Sequence, residues 1–452
     1  MRRGLPRPGR RKLRLGWRRL PPPAVLALLY ATVIIIGALA LMTPFCATRP
    51  IGFIDALFTA TSAITVTGLV VLDTGADFTH LGQAVIALLI QLGGLGLMSF
   101  AVMVAASLGL PVGLTSHLYL REDLNQPHLF RLSDLVRAII RIALICELIG
   151  AALIAPSFIA RAGLAQGLWE AAFHSVSAFN NAGFSTYSDG LVSFATDLPI
   201  NLVIPALFIM GGLGYATLRE VARQRKPRHW SLNTKVMLLG TAVLIPWSVV
   251  MFAALEWNNP GTLGQFDAAW QRWLVAWFQG VTTRTAGFNT TDIGALHDST
   301  SLMFISLMLI GGGPTSTAGG IKVTTFVVML LATVAFFRRQ TEIAVFGRSI
   351  CTEDMLKATA IVAITVLICF GGVFLVVSSH DGDFMDVAFE VASAFGTVGL
   401  SRNYTGQLSG FGQLVIIAIM FVGRVGPLTL GFFLATRGAP RVRRPRGQIA
   451  LG

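Results

Sequence analysis

Gly68, Gly183, Gly287 and Gly399 each close a copy of one short pattern: DALFTATSAITVTGL (55–69), EAAFHSVSAFNNAGF (170–184), LVAWFQGVTTRTAGF (274–288) and DVAFEVASAFGTVGL (386–400). The stretches ending on these glycines are Thr65-Val66-Thr67-Gly68, Asn180-Asn181-Ala182-Gly183, Arg284-Thr285-Ala286-Gly287 and Gly396-Thr397-Val398-Gly399. They hold no nucleophile–base pair and no metal-ligand spacing. What they can offer is backbone carbonyl oxygen. Four such segments around one axis can replace the water shell of a cation, and the oxygens of Thr67, Ala182, Ala286 and Val398 are the candidate ligands. Glycine permits the positive φ that turns a carbonyl inward, and flanking Thr and Val stiffen an extended segment. Each copy has one such glycine, which implies few ion sites. Arg284 would repel a cation, so its side chain is expected to point back from the axis and bond to carboxylate or carbonyl groups.

Something must carry each segment to a common depth. An aromatic stands ten residues before each glycine (Phe58, Phe173, Trp277, Phe389), and an acid thirteen before in three copies (Asp55, Glu170, Asp386; Leu274 in the third). The pattern predicts a short pore helix opened by a carboxylate, which complements the helix dipole and adds a cation-attracting rim. The negative helix ends would then face the ion. Ten or so residues cannot cross a bilayer, but they can enter as a helix and return as a loop that lines water.

Composition places these units in a membrane. Of 452 residues 54% are hydrophobic and 13% charged, far too few charges for a soluble surface of this size. Apolar segments near 24–45, 81–110, 135–160, 199–218, 234–256, 301–337, 356–379 and 411–436 give eight spans of about 20 residues or more. No cleavable signal peptide is evident. The formal net charge is +13, with nine Arg/Lys in residues 1–20 and five in 437–446. By the positive-inside rule both termini are cytoplasmic and the glycine loops lie toward the outside. These basic runs suit topology and anionic lipid rather than nucleic acid. Cys46, Cys146, Cys351 and Cys369 suggest neither disulfide nor metal site.

The expected fold is an all-α membrane protein: four tandem span–pore helix–span repeats, with eight transmembrane helices, four re-entrant loops and pseudo-fourfold symmetry around one ion pore. The boundaries are a basic cytoplasmic tail (1–21), repeats at 22–115, 116–228, 229–345 and 346–437, and a cytoplasmic tail (438–452). Every second span carries a glycine cluster: GGLG at 93–96, GGLG at 211–214, GGGP at 311–314 and GRVG at 423–426. In the fourth, Arg424 replaces a glycine; a charge at that depth should face a wet cavity and serve as a positive barrier. The third second span is broken. Gly311, Gly312, Gly313, Pro314, Thr315, Ser316, Thr317, Ala318, Gly319, Gly320 and Lys322 interrupt an apolar segment, and proline with several glycines ends a helix. A polar loop below the filter is a candidate gate. It is not a phosphate-binding loop, since GxxxxGK[ST] is unmatched.

TATSAITVTGLVVLDT, FNNAGF, TRTAGFNT, GGGPTSTAGGIKV and GRVGPLT resemble the Trk/Ktr/HKT superfamily of potassium transporters, over residues 22–437, and eight spans resemble the bacterial Ktr membrane subunit most. The resemblance implies the potassium-translocating pore subunit of a bacterial uptake system, in the inner membrane. It also implies a homodimer on a cytoplasmic nucleotide-binding ring of RCK type, and uptake that is often sodium-dependent. The filter maps onto the four segments, the gate onto 311–322 and the gating arginine onto Arg424. No nucleotide motif occurs in this chain, so nucleotide control falls to the partner. The basic N-terminal extension and the C-terminal RRPRGQIALG depart from the family pattern. The alternative is a sodium- or proton-coupled symporter, which wants a buried acid in a span; Glu147 is the clearest candidate. An intramembrane enzyme would need a nucleophile and base in facing spans, as in GxSxG with a His, and none is visible.

Overall fold

The computed structural model describes residues 22–96, 132–340 and 342–426. The two tails, the ends of the first and fourth second spans and the 115/116 boundary lie outside the described residues. In chain order the helices are α1 (Pro22–Leu41), α2 (Phe53–Ile64) and α3 (His80–Leu95); α4 (Leu132–Ala162), α5 (Leu164–Phe179), α6 (Leu198–Leu213) and α7 (Tyr215–Arg223); and α8 (Leu232–Glu256), α9 (Ala269–Thr282), α10 (Asp298–Met308) and α11 (Val323–Phe337). A two-stranded antiparallel hairpin, β1 (Ala344–Val345) with β2 (Arg348–Ser349), precedes α12 (Thr352–Val377), α13 (Phe384–Gly396) and α14 (Gly410–Val425).

Among the described residues, four helices are long and apolar enough to cross a membrane: α1, α4, α8 and α12. Their outward faces expose Leu148, Leu367, Phe370 and similar side chains. A contiguous apolar exterior of this kind belongs in lipid. The chain is a multi-pass helical membrane protein.

Each long helix is followed by a short one, α2, α5, α9 or α13, of 12 to 16 residues. These bury what the sequence marked. Phe58 and Phe389 are fully buried and Phe173 nearly so, while Trp277 packs partly buried against the core. An aromatic contributes a large buried area for little lost side-chain freedom. Asp55 and Asp386 sit in the first turns of α2 and α13. Glu170 does not open its helix: α5 begins at Leu164, because Gly163 with its φ of 82° ends α4 and lets the chain restart at once.

The helices close into a ring. α3 packs on α5, α6 on α9, α10 on α13, and α14 returns to α2. Each pore helix is thus wedged against the second helix of the preceding unit.

The second spans correct the expectation of long continuous helices broken only once. α3, α6 and α14 all stop where the glycine cluster ends, at Gly96, Gly214 and Gly426, whose φ values are 84°, 88° and 95°. At Gly214 the chain turns by 96° into α7. In the third, α10 stops at Met308 and helix resumes only at Val323. In α3, α6 and α14 the physical reason is the geometry at the first glycine of the cluster, while the first glycine of the third, Gly311, abuts the Gly319 carbonyl of its own loop. A Cβ on Gly93 would stand 2.0 Å from the Ile64 carbonyl oxygen; on Gly211, 2.0 Å from that of Phe179; on Gly423, 2.2 Å from that of Phe395. The clusters let the second helices press against the carbonyl ends of the pore helices, where no side chain fits.

Candidate functional site

The four glycine segments meet. A Cβ on Gly68 would stand 2.3 Å from the Ala182 oxygen, on Gly183 2.9 Å from that of Ala286, on Gly287 2.2 Å from that of Val398, and on Gly399 2.2 Å from that of Thr67. Each glycine therefore lies against the carbonyl of the residue that precedes the next glycine, and the fourth returns to the first. The ring has room for glycine alone.

Its backbone repeats fourfold. Val66, Asn181, Thr285 and Thr397 have φ between 50° and 61°, and the glycines two residues on are also positive, at 69° to 96°. The residues between, Thr67, Ala182, Ala286 and Val398, are not. Reversing φ at every second residue undoes the half-turn of an extended strand, so successive carbonyls fall on one side. This corrects the expected extended segment stiffened by β-branched residues: Val66, Thr285 and Thr397 are left-handed, a conformation that costs roughly 1–3 kcal/mol each. Asn181 adopts it more easily.

Hydroxyls on the last helical turns hold this backbone. Ser62 accepts from the Gly68 amide (3.0 Å) and Ser393 from the Gly399 amide (3.0 Å). Ser177 donates to the Phe184 carbonyl (2.8 Å) and Thr282 to that of Phe288 (2.6 Å). The amides of Thr67, Ala182, Ala286 and Val398 reach back to the carbonyls of the same four residues at 2.8–3.0 Å. Sequence reasoning missed this set, although a hydroxyl residue five or six positions before each glycine was there to be read.

Above the ring opens a funnel of about 520 Å³ whose floor is the four glycines. Asp73, Asp189 and Asp292 line its wall. The acids singled out from the sequence do not. Asp386 pairs with Arg402 (2.6 Å), Glu170 accepts from Tyr187 and Gln166, and Asp55 accepts from Gln413 on α14. Each fastens a pore helix to the structure around it instead of facing the mouth.

Below the ring lies the 311–322 segment, threaded against the bend between α6 and α7. Gly313 donates to the Gly212 carbonyl (2.8 Å), Thr317 to that of Gly211 (3.4 Å), and Tyr215 donates back to Thr315 (3.1 Å). The Gly214 bend leaves space for the Pro314 carbonyl. A pairing of Ile310 with Ile321 closes the base, and the Gly311 and Val323 amides bond to Ile321 and Gly312. Ser316 donates to Gly313 and Lys322 to Ala318. Gly319 and Gly320 abut Thr397 and Gly396 from below. Arg284 turns away from the ring and donates to the Gly311 carbonyl at 3.3 Å. The Thr317 hydroxyl donates to the Asn181 side chain at 2.8 Å. Arg424 donates to two carbonyls, Thr317 in this segment and Gly93 at the end of α3. Glu147, buried on α4, accepts from the side-chain amides of Asn180 (3.0 Å) and Gln91 (3.3 Å).

A funnel, a ring of close-packed backbone and an irregular loop beneath it, all within a lipid-facing helical shell, define a membrane protein built around a single axial constriction. The chain belongs to the TrkH family of cation transport proteins, whose model matches residues 27–437. It is 44% identical to the Ktr system potassium uptake protein B of Bacillus subtilis, over 97% of this chain and 98% of the relative. It is 38% identical to the protein of the same name from Vibrio alginolyticus, over 95% of each. It is 34% identical to the potassium/sodium uptake protein NtpJ of Enterococcus hirae, over 96% of this chain and 98% of that one. The fold is similar to the crystal structure of the potassium transporter TrkH from Vibrio parahaemolyticus, with a TM-score of 0.72, 19% identity, and 95% of this chain and 87% of that one covered.

Proposed function

We propose that this chain is the potassium-translocating pore subunit of a bacterial uptake system and conducts down the electrochemical gradient through the glycine ring. The observation that carries the reading is the cyclic contact of each glycine with its neighbour's carbonyl. Four backbone carbonyls at one level can stand in for the water around a monovalent cation. The names of the relatives from Bacillus subtilis and Vibrio alginolyticus support potassium as the ion, and that of NtpJ supports sodium as a second one. In this reading the oxygens of Thr67, Ala182, Ala286 and Val398 contact the ion. The loop 311–322, held by Arg424, is the gate, and the repeats run 22–115, 116–228, 229–345 and 346–437.

The same reading makes the protein an inner-membrane homodimer with both termini in the cytoplasm, resting on an RCK-type nucleotide-binding ring. The word "system" in the names of the Ktr relatives supports a partner subunit. Coupled symport is not favoured: both carboxylate oxygens of Glu147, its candidate acid, are engaged by side-chain amides.

The test is potassium uptake in a bacterial strain lacking its own uptake systems, with the cognate ring supplied, comparing wild type with Gly68→Ser. The reading requires rescue by the wild type and a lower preference for potassium over sodium in the variant. Uptake that follows a sodium or proton gradient at fixed voltage would establish the symporter instead.

A further inference from the structure

The hydrogen bonds around Glu147 form a closed triangle of three side chains on three elements. Asn180, in the second ring segment, donates through Nδ2 to Gln91 Oε1 on α3 (2.8 Å) and to Glu147 Oε1 on α4 (3.0 Å). Gln91 Nε2 donates to Glu147 Oε2 (3.3 Å). The Val176 carbonyl of α5 also lies 2.9 Å from Asn180 Nδ2, so the two hydrogens of this NH2 group are shared among three acceptors. The Glu147 backbone carbonyl accepts from Ser175, again on α5 (2.6 Å). Asn180 is fully buried and Glu147 nearly so. On its other side the Asn180 amide fills the space that a Cβ on Gly94 would need.

This triangle obeys a rule of parity. Asn180 presents one atom, its NH2, to both partners. Gln91 presents two different atoms, an oxygen to Asn180 and a nitrogen to residue 147. Residue 147 must then accept on both sides, which a carboxylate does and an amide cannot. With glutamine at 147, every choice of amide orientation leaves one pair of like groups face to face. A buried acid in an apolar span is costly, and the triangle explains why an acid is needed there.

Resting on the filter reading above, we propose that Glu147 is a specificity-determining positioning residue: with Gln91 it fixes Asn180 and thereby the second carbonyl segment of the ring. Glu147 never meets the ion. It acts through Asn180, whose side chain links the ring backbone at Asn181–Gly183 to this triangle. The parity rule has a second solution, with the carboxylate at 91 and the amide at 147. Glutamine at 147 then gives an oxygen to Asn180 and a nitrogen to the carboxylate at position 91, and all three edges close.

The experiment measures potassium-to-sodium permeability ratios for the full-length protein, with its cognate ring, in Glu147→Gln, Gln91→Glu, the double variant and Gly183→Ser. Each single exchange should lower the ratio by roughly tenfold, the equivalent of one lost hydrogen bond to a charged group. The double exchange should restore it to within about twofold. If Gly183→Ser lowers the ratio but Glu147→Gln does not, the ring stands as a filter and the positioning role is wrong. If Gly183→Ser changes nothing, the filter reading itself falls and takes this one with it. Should a single variant fail to accumulate, the double variant decides: a folded protein of wild-type ratio supports the triangle, and a double variant that is misfolded or still unselective overturns it.

Discussion

The guanidinium of Arg424 donates to the carbonyl of Thr317, a residue 107 positions earlier in the chain. Its other branch donates to Gly93 at the end of α3. One side chain from α14 thus ties the loop beneath the ring to α3, across the ion path of the proposed pore. Both bonds are to backbone, so replacing the Thr317 side chain would leave its carbonyl acceptor in place, whereas any side chain at Gly93 collides with the Ile64 carbonyl. The arginine is therefore the position at which the contact is removed cleanly.

Arg424→Ala should therefore free the loop. Hydrogen bonds from a charged donor contribute roughly 1.5–3 kcal/mol each, so losing two shifts a closed–open balance strongly toward open. We expect a maximal potassium flux several-fold above wild type at equal surface expression, read by uptake or by whole-cell current. Arg424→Lys, with a compact ammonium that lacks the guanidinium's fork, should fall between. A flux in Arg424→Ala at or below wild type would show that the arginine opens the path and does not hold it shut.

Gly68→Ala and Gly399→Ala place a methyl 2.3 and 2.2 Å from a neighbouring backbone oxygen, at φ values of 92° and 96°. Neither the backbone nor the oxygen can yield without moving the ring. Strain of roughly 1–3 kcal/mol corresponds to a loss of about five- to 150-fold in discrimination between ions. Ion-competition uptake assays, potassium against sodium, measure it directly. Equal selectivity in both variants would be incompatible with a carbonyl ring.

The glycine clusters separate close packing from mere helix content. Gly93→Ala and Gly211→Ala each drive a methyl to 2.0 Å from a pore-helix carbonyl, and overpacking of this kind costs typically about 1–3 kcal/mol. Gly371 on α12 has nothing within 4 Å of its Cβ position. Alanine there should be neutral or stabilising by up to about 1 kcal/mol through helix propensity. Thermal unfolding in detergent, followed by loss of the monodisperse gel-filtration peak, should rank Gly371→Ala at or above wild type and the other two below it.

Asp73, Asp189 and Asp292 line the funnel while also accepting hydrogen bonds from nearby groups in their own loops, such as Gly75, Ser193 and Gly294. Asparagine at all three keeps an acceptor in each turn and removes three charges from the mouth. Uptake at low external potassium should fall at an ionic strength near 0.01 M, where the Debye length is about 30 Å, and approach wild type near 1 M, where it is about 3 Å. A deficit independent of salt would point to altered loop geometry instead of lost attraction.

The sequence alone determined what repeats. Four copies of one pattern put glycines at matched offsets, and an apolar composition left a membrane as the only solvent for them. It also located the broken segment at 311–322, where five glycines and a proline fall within the ten residues 311–320, a density that works against a helix far more than the single prolines carried inside α4, α6 and α8. These are local properties, written in residue type and spacing. The ring itself was not local. Which glycine meets which carbonyl depends on α14 returning to α2, a contact between the two ends of the described chain. The left-handed Val66 and Thr397 defy their own preferences because surrounding hydrogen bonds overrule them. The acids before the pore helices read alike in sequence, yet packing gave Asp386 to an arginine and Glu170 to a tyrosine, and left the mouth to Asp73, Asp189 and Asp292. Glu147 seemed a lone buried acid until folding brought Gln91 and Asn180 to its two oxygens. A side chain's partners across helices are set by how the helices pack, and only the tertiary structure specifies that.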